Sequence, residues 1–304
     1  MTTRREILRA GVQLAMAAGL GAGAAGAHAA AAGIKATRLN PQMWLLDGAG
    51  CNVLAVRGAE GSLLVDGGYA KNAKALLKAA ADATGHSRVA TLINTHWHPA
   101  QTGCNEAAGA AGAQIIAHEV TRLYLARAVA SVDYEGLYGP LAVAGRPTKT
   151  TRTADSLQSG PRNVQYGYLP AAHTNGDVYV HFPDDDVLVA GGPVCSESWP
   201  LLDYRNGAWL GGLVKAHEKL AGIVKPGTRI VPANGRLLTG SELKAQHQMF
   251  AAFHEKMVIF LNRGMDSGDC IAARPLKEYE TQYGDPQNFI YGAFQSLNLA
   301  YSPD

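Results

Sequence analysis

From Ile34 onward, short apolar runs alternate with turn residues, and each run has the length of a strand rather than a helix. Met43 to Leu46, Asn52 to Val56 and Gly61 to Val65 are three of them. Gly58 and Gly61 bracket Ala59-Glu60 and predict a hairpin between the last two. From Tyr69 to Thr84 the spacing changes: Ala, Lys and Leu recur at helical intervals, which predicts a helix. Val89 to Thr95 reads as the next strand, Asn105 to Gly112 as a short helix, Ala113 to Ala117 as a strand ending in His118, and Val120 to Val132 as a helix. Tyr134 to Pro161 is rich in Gly, Pro and Thr and reads as a long loop or lid.

The second half repeats the order. Val164 to Leu169, Val178 to Phe182 and Val187 to Ala190 are strands, Leu210 to Val224 is a helix, and Arg229 to Pro232 is a strand end. Ser241-Glu242 caps a helix reaching about Asn262, and Pro275 to Tyr301 reads as one more amphipathic helix and a tail. Strands followed by helix, twice over, imply an α/β sandwich. No linker divides it, so residues 30–304 read as a single domain with a helical C-terminal extension from about residue 241.

Hydrophobic residues make up 47% of the 304-residue chain, enough for a sizeable core. A net charge of +2 without a basic block beyond the N-terminus argues against a nucleic-acid partner. The start, Thr3-Arg4-Arg5-Glu6-Ile7-Leu8-Arg9, is followed by small apolar residues and Ala27-His28-Ala29. A charged start, an apolar middle and an A-x-A site describe a secretory signal over residues 1–29, and the paired arginines resemble a twin-arginine signal. That predicts a periplasmic or secreted protein with no membrane attachment once the signal is removed. Cys51, Cys104, Cys195 and Cys270 show no zinc-ribbon spacing; one disulfide and four buried free thiols both remain open.

The chemistry converges on Asn94-Thr95-His96-Trp97-His98-Pro99-Ala100-Gln101-Thr102-Gly103, directly after a predicted buried strand. Two imidazoles two residues apart at a strand end can face one point, and a metal site then needs a third ligand from elsewhere. His173-Thr174-Asn175-Gly176-Asp177 lies some eighty residues on, and Asp66-Gly67-Gly68 lies upstream.

In order and spacing, these segments resemble the metallo-β-lactamase superfamily from about residue 34 to residue 240. The resemblance implies an αββα sandwich, two mixed sheets with outer helices, with the site along one edge. It implies hydrolysis of lactams, thioesters, phosphodiesters or lactones. The family motif His-x-His-x-Asp-His falls on His96, His98, Ala100 and Gln101. The next histidine falls on His173, the Gly-Asp on Gly191-Gly192, and the Pro-Gly-His on Pro232-Ala233-Asn234. The three histidines of the first metal site are kept and all four groups that build or bridge the second are replaced. The resemblance therefore implies one zinc per chain at His96, His98 and His173, with Asp66 and Asp177 as supporting hydrogen-bond partners.

The replacements Ala100, Gln101, Gly192 and Asn234 predict a roomier, less negative pocket with Gln101 and Asn234 as polar liners. Neither amide is an acid or base near neutral pH, and the loss of such help typically costs about 10²–10⁴-fold in rate. Glu106, Tyr134, Glu135 and Tyr138 are the substitutes in reach along the chain. Three readings follow: an exported mononuclear zinc hydrolase acting on a small ester, lactone, thioester or amide; a non-catalytic relative that binds a small molecule or metal; and a metal-dependent lyase or oxygenase. Export has a direct test. Replacing Arg4 and Arg5 by Lys is expected to leave precursor in the cytoplasm, and normal periplasmic accumulation of that variant would exclude the twin-arginine route.

Overall fold

The computed structural model describes residues 33–301, so the signal predicted for residues 1–29 lies outside the described residues. Seven strands form the first sheet, in the order β1 to β7: β1 (Lys35–Asn40), β2 (Met43–Asp47), β3 (Val53–Arg57), β4 (Ser62–Val65), β5 (Val89–Ile93), β6 (Gln114–His118) and β7 (Lys149–Thr151). The first four pair antiparallel through tight connections, and β4 to β7 run parallel. Six strands form the second sheet: β8 (Ala154–Ser159), β9 (Arg162–Tyr168), β10 (Val178–Phe182), β11 (Val187–Gly191), β12 (Arg229–Pro232) and β13 (Leu238–Thr239), in the order β13-β12-β11-β10-β9-β8.

The sheets pack face to face because each presents an apolar inner row. Met43, Leu54, Val65, Ile93 and Ile116 of the first meet Val164, Tyr166, Val180, Phe182 and Val231 of the second. Their outer faces are covered by helices. Leu76 and Ala80 of α1 (Ala73–Thr84) pack over β2 and β3. On the far side α5 (Leu210–Ile223), α6 (Gly240–Asn262) and α9 (Gln287–Tyr301) bury Leu213, Leu220, Phe250, Phe253 and Phe289 against Leu188 and Ile230. The smaller helices are α2 (Pro99–Thr102), α3 (Asn105–Ala110), α4 (Glu119–Leu125), α7 (Ser267–Ala272) and α8 (Glu280–Tyr283). This is the αββα sandwich of two mixed sheets that the motifs implied.

Several local expectations are corrected. The predicted Val120–Val132 helix stops at Leu125. The stretch Tyr134–Pro161 is a loop only as far as Thr148; it then supplies β7 and all of β8, both mostly polar and β8 largely exposed, so no apolar alternation marks them. Edge strand β1 is likewise almost all exposed. Thr239, not Ser241, caps α6: its hydroxyl accepts from the Glu242 amide, and the Glu242 carboxylate accepts from the Thr239 amide. Helix α7 was hidden in a short polar segment capped reciprocally by Asp266 and Asp269. All four cysteines are buried free thiols. Among the described residues no helix is long and apolar enough to cross a membrane.

Candidate metal centre

Parallel pairing of β4 with β5 brings their C-terminal ends together, so Asp66 lies beside Asn94 and its amide donates to the Ile93 carbonyl. Beyond Ile93 the chain bends through Thr95–His98, and His98, extended because a proline follows it, precedes α2, which Pro99 opens. The bend brings the His96 and His98 rings together beside His173, while Trp97 packs elsewhere. Trp97 is fully buried with Tyr124, Leu125 and Val129, so it is a wall and does not line a mouth. His173 arrives from the loop after β9. That loop is shaped by Asp177, which accepts from the amides of His173 and Thr174 and from the Thr174 hydroxyl. The Val178 amide donates to the Thr95 carbonyl at 2.7 Å and joins the two histidine-bearing segments.

The three imidazoles are buried, with ring centroids 4.5–4.8 Å apart. Their outward nitrogens fix their tautomers. The Thr95 hydroxyl donates its one hydrogen to Asp66 Oδ2 at 2.8 Å, so towards His96 Nδ1, 3.0 Å away, it accepts. His173 Nδ1 lies 2.7 Å from the Leu201 carbonyl, which can only accept. His98 Nε2 lies 3.1 Å from Asp203 Oδ2. Burial alone would push the Asp203 carboxyl up, but the hydrogen bonds it accepts from His98, Asn206 and Ser131 hold it below its ordinary value. Each outer nitrogen thus carries the hydrogen. The inner nitrogens, His96 Nε2, His98 Nδ1 and His173 Nε2, carry bare lone pairs.

Those three atoms lie within 4.8 Å of one another. His98 Nδ1 and His173 Nε2 are 3.1 Å apart, and buried His96 Nε2 has no partner. For metal–nitrogen bonds of about 2.0–2.1 Å, the edge of a tetrahedron is roughly 3.3 Å. The donor set fits one small, borderline-soft cation. Burial first, then the neighbouring imidazoles, pushes the His96 pKa well below its usual value, and burial and His98 do the same to His173. Burial therefore disfavours the charged form of these two rings.

The other predicted residues sort differently. Asp66 supports His96 through Thr95, with its carboxyl raised to about 7 by burial against the opposing Thr95 bonds, and its backbone is held at a φ of 68°. Asp177 acts on the His173 main chain, not its ring. Gln101 is buried, while Asn234 is exposed and its carbonyl accepts from Ser196, so the two do not form a common lining. Ala100 belongs to the apolar cluster under α1. The expected extra room at Gly192 is absent: a Cβ there would stand 2.2 Å from His173 Cδ2, because the imidazole fills the place of a side chain. Of the substitutes for the lost acid, Glu106 accepts from the Ala142 amide, Tyr138 bonds Thr102, and Tyr134 donates to the Val129 carbonyl. His118 ends β6 and caps α4. Sequence reasoning missed Asp203 and Ser131, which no local pattern distinguishes from other loop residues.

A family model described as metallo-beta-lactamase superfamily matches residues 46–238. Among solved structures, a metallo-beta-lactamase from Pontibacter korlensis is 20% identical, covers 72% of this chain and 99% of its own, and has a TM-score of 0.58. DIM-1 metallo-beta-lactamase is 16% identical over 72% of this chain and 98% of its own, with a TM-score of 0.58. The inverting sec-alkylsulfatase Pisa1 from Pseudomonas sp. is 13% identical with a TM-score of 0.68. It covers 89% of this chain, which here spans about half of that protein, 52%. At these identities the likeness is one of fold. Among curated proteins none matches.

Gly192→Ala is expected to displace the His173 ring and weaken zinc binding about tenfold or more, in the range seen when a ligand's support is disturbed. Zinc competition against a chromophoric chelator measures it. An unchanged constant in a folded variant would show that the ring position is not needed.

Proposed function

The chain belongs to the metallo-beta-lactamase superfamily, and from that premise we propose that it is an exported hydrolase working with a single zinc ion held by His96 Nε2, His98 Nδ1 and His173 Nε2. The superfamily is metal-dependent, usually on zinc. The observation that carries the reading is the convergence of three lone-pair nitrogens, each with its opposite nitrogen hydrogen-bonded outward. When bound, zinc polarises a substrate carbonyl and lowers the pKa of a water it holds to about 7. The protein's own part is to hold the imidazoles in one tautomer, through Thr95 and Asp66, Asp203, and the Leu201 carbonyl.

The substrate is a small molecule with a hydrolysable ester, lactone, thioester or amide. A cavity of about 670 Å³ shares residues with the shell around the centre, although none of the three histidines lines it, and is the space this reading assigns to the substrate. It is bordered by Ser131, which holds Asp203, and by Leu201, which holds His173; Trp199, Tyr204 and Phe289 give it aromatic walls and Arg205 a positive one. Such walls suit an apolar body with an anionic group. Ala100 favours a second reading, a non-catalytic binder, because its side chain cannot move a proton.

Elemental analysis of protein recovered from its natural export route is expected to give one zinc per chain, lost in His173→Ala. Hydrolysis of a panel of esters, lactones and thioesters should be abolished by chelator and restored by zinc. Two metals per chain would refute the single-ion centre. One zinc without turnover of any panel member would favour the binder.

A further inference from the structure

The metal centre proposed above lacks an anion: its ligands are three neutral imidazoles, and position 100 is alanine. A carboxylate nevertheless approaches one of these imidazoles. Asp133 Oδ2 lies 3.6 Å from His98 Nδ1, one of the lone-pair nitrogens. The atoms that could share one ion comprise only the three imidazoles among the described residues. Asp133 therefore stands beside that cluster, not within it. No donor among the described residues takes up its carboxylate, and its side chain is 39% exposed.

The loop that carries Asp133 is built. Val129 and Tyr138 exchange main-chain hydrogen bonds at 2.9 and 2.8 Å and close its base. The Tyr138 and Thr102 hydroxyls are 2.7 Å apart, fastening the loop to α2. Tyr134 packs edge-on to both Trp97 and His98. The Asp133 amide donates to Ser131 Oγ, which donates to Asp203 Oδ2, the carboxylate that orients His98; Asn206 bonds both Asp203 and the Ala130 carbonyl. The loop acid and the His98 support thus form one network.

We propose that Asp133 supplies the carboxylate lost at position 100: its Oδ2 accepts a hydrogen bond from the water beside the metal and orients it, and its charge strengthens metal binding. The inference rests on the three-histidine centre. No covalent bond forms at Asp133. A negative charge within a few ångströms of a dication in a largely buried site is worth far more than one in open solvent. Outer partners of metal ligands typically change affinity about 10–100-fold.

The test is zinc competition and cobalt(II) absorption on the full chain, comparing wild type, Asp133→Ala, Asp133→Asn, Glu135→Gln and His173→Ala, each checked for folding by circular dichroism. Asp133→Ala is expected to bind zinc about tenfold or more weakly and to shift the cobalt bands. Asp133→Asn, which keeps shape and loses charge, should lose affinity too. Glu135→Gln, a neighbouring exposed acid, should change neither. With any substrate the wild type turns over, Asp133→Ala should lower kcat more than it raises KM. Wild-type zinc affinity and cobalt bands in both Asp133 variants, with metal lost in His173→Ala, would overturn the role of Asp133 and leave the centre standing. Wild-type zinc binding by His173→Ala would overturn the centre, and this inference with it.

Discussion

Three lone pairs directed at one another repel unless a cation lies among them. That constraint organises the edge of this sandwich. His98 Nδ1 and His173 Nε2 approach to 3.1 Å because their far sides are tied to Asp203 and to the Leu201 carbonyl, and His96 is tied through Thr95 to Asp66. The Leu201 carbonyl can only accept, Asp203 already takes hydrogens from Ser131 and Asn206, and the Thr95 hydroxyl donates to Asp66. The parallel β4–β5 pairing, the bend from Thr95 to His98 and the Asp177-shaped loop deliver the rings to that point.

The positions aligned with a second metal site have different surroundings. At Gly192 the His173 ring sits where a side chain would begin. Ala100 packs into the core under α1, Gln101 is buried, and Asn234 faces solvent. Among the described residues the three histidines are the one group placed to share an ion, and Asp133 stands beside them at 3.6 Å from His98 Nδ1.

Much of this was legible from residue patterns, for physical reasons. A buried strand such as Val187–Gly191 is apolar throughout, and amphipathic helices such as Leu210–Ile223 carry their period openly. Exposed edge strands β1 and β8 carry no such signal, because one solvated face and a free edge impose little on side-chain choice. The three histidines were legible because their spacing is local or matches a known order. Asp203, Ser131 and Asp133 were not, because each reaches the centre only through the fold. Asp203 meets His98 across 105 positions of chain, and nothing in Leu201-Leu202-Asp203-Tyr204 announces it. Asp66 was legible as a supporting group, but its route through Thr95 needed coordinates.

X-ray absorption at the zinc edge of the metal-loaded protein reads the ligand set itself. Three imidazole nitrogens at about 2.0–2.1 Å are expected, with one further light-atom neighbour and no sulfur. A sulfur neighbour near 2.3 Å, or fewer than three imidazoles, would contradict the three-histidine centre.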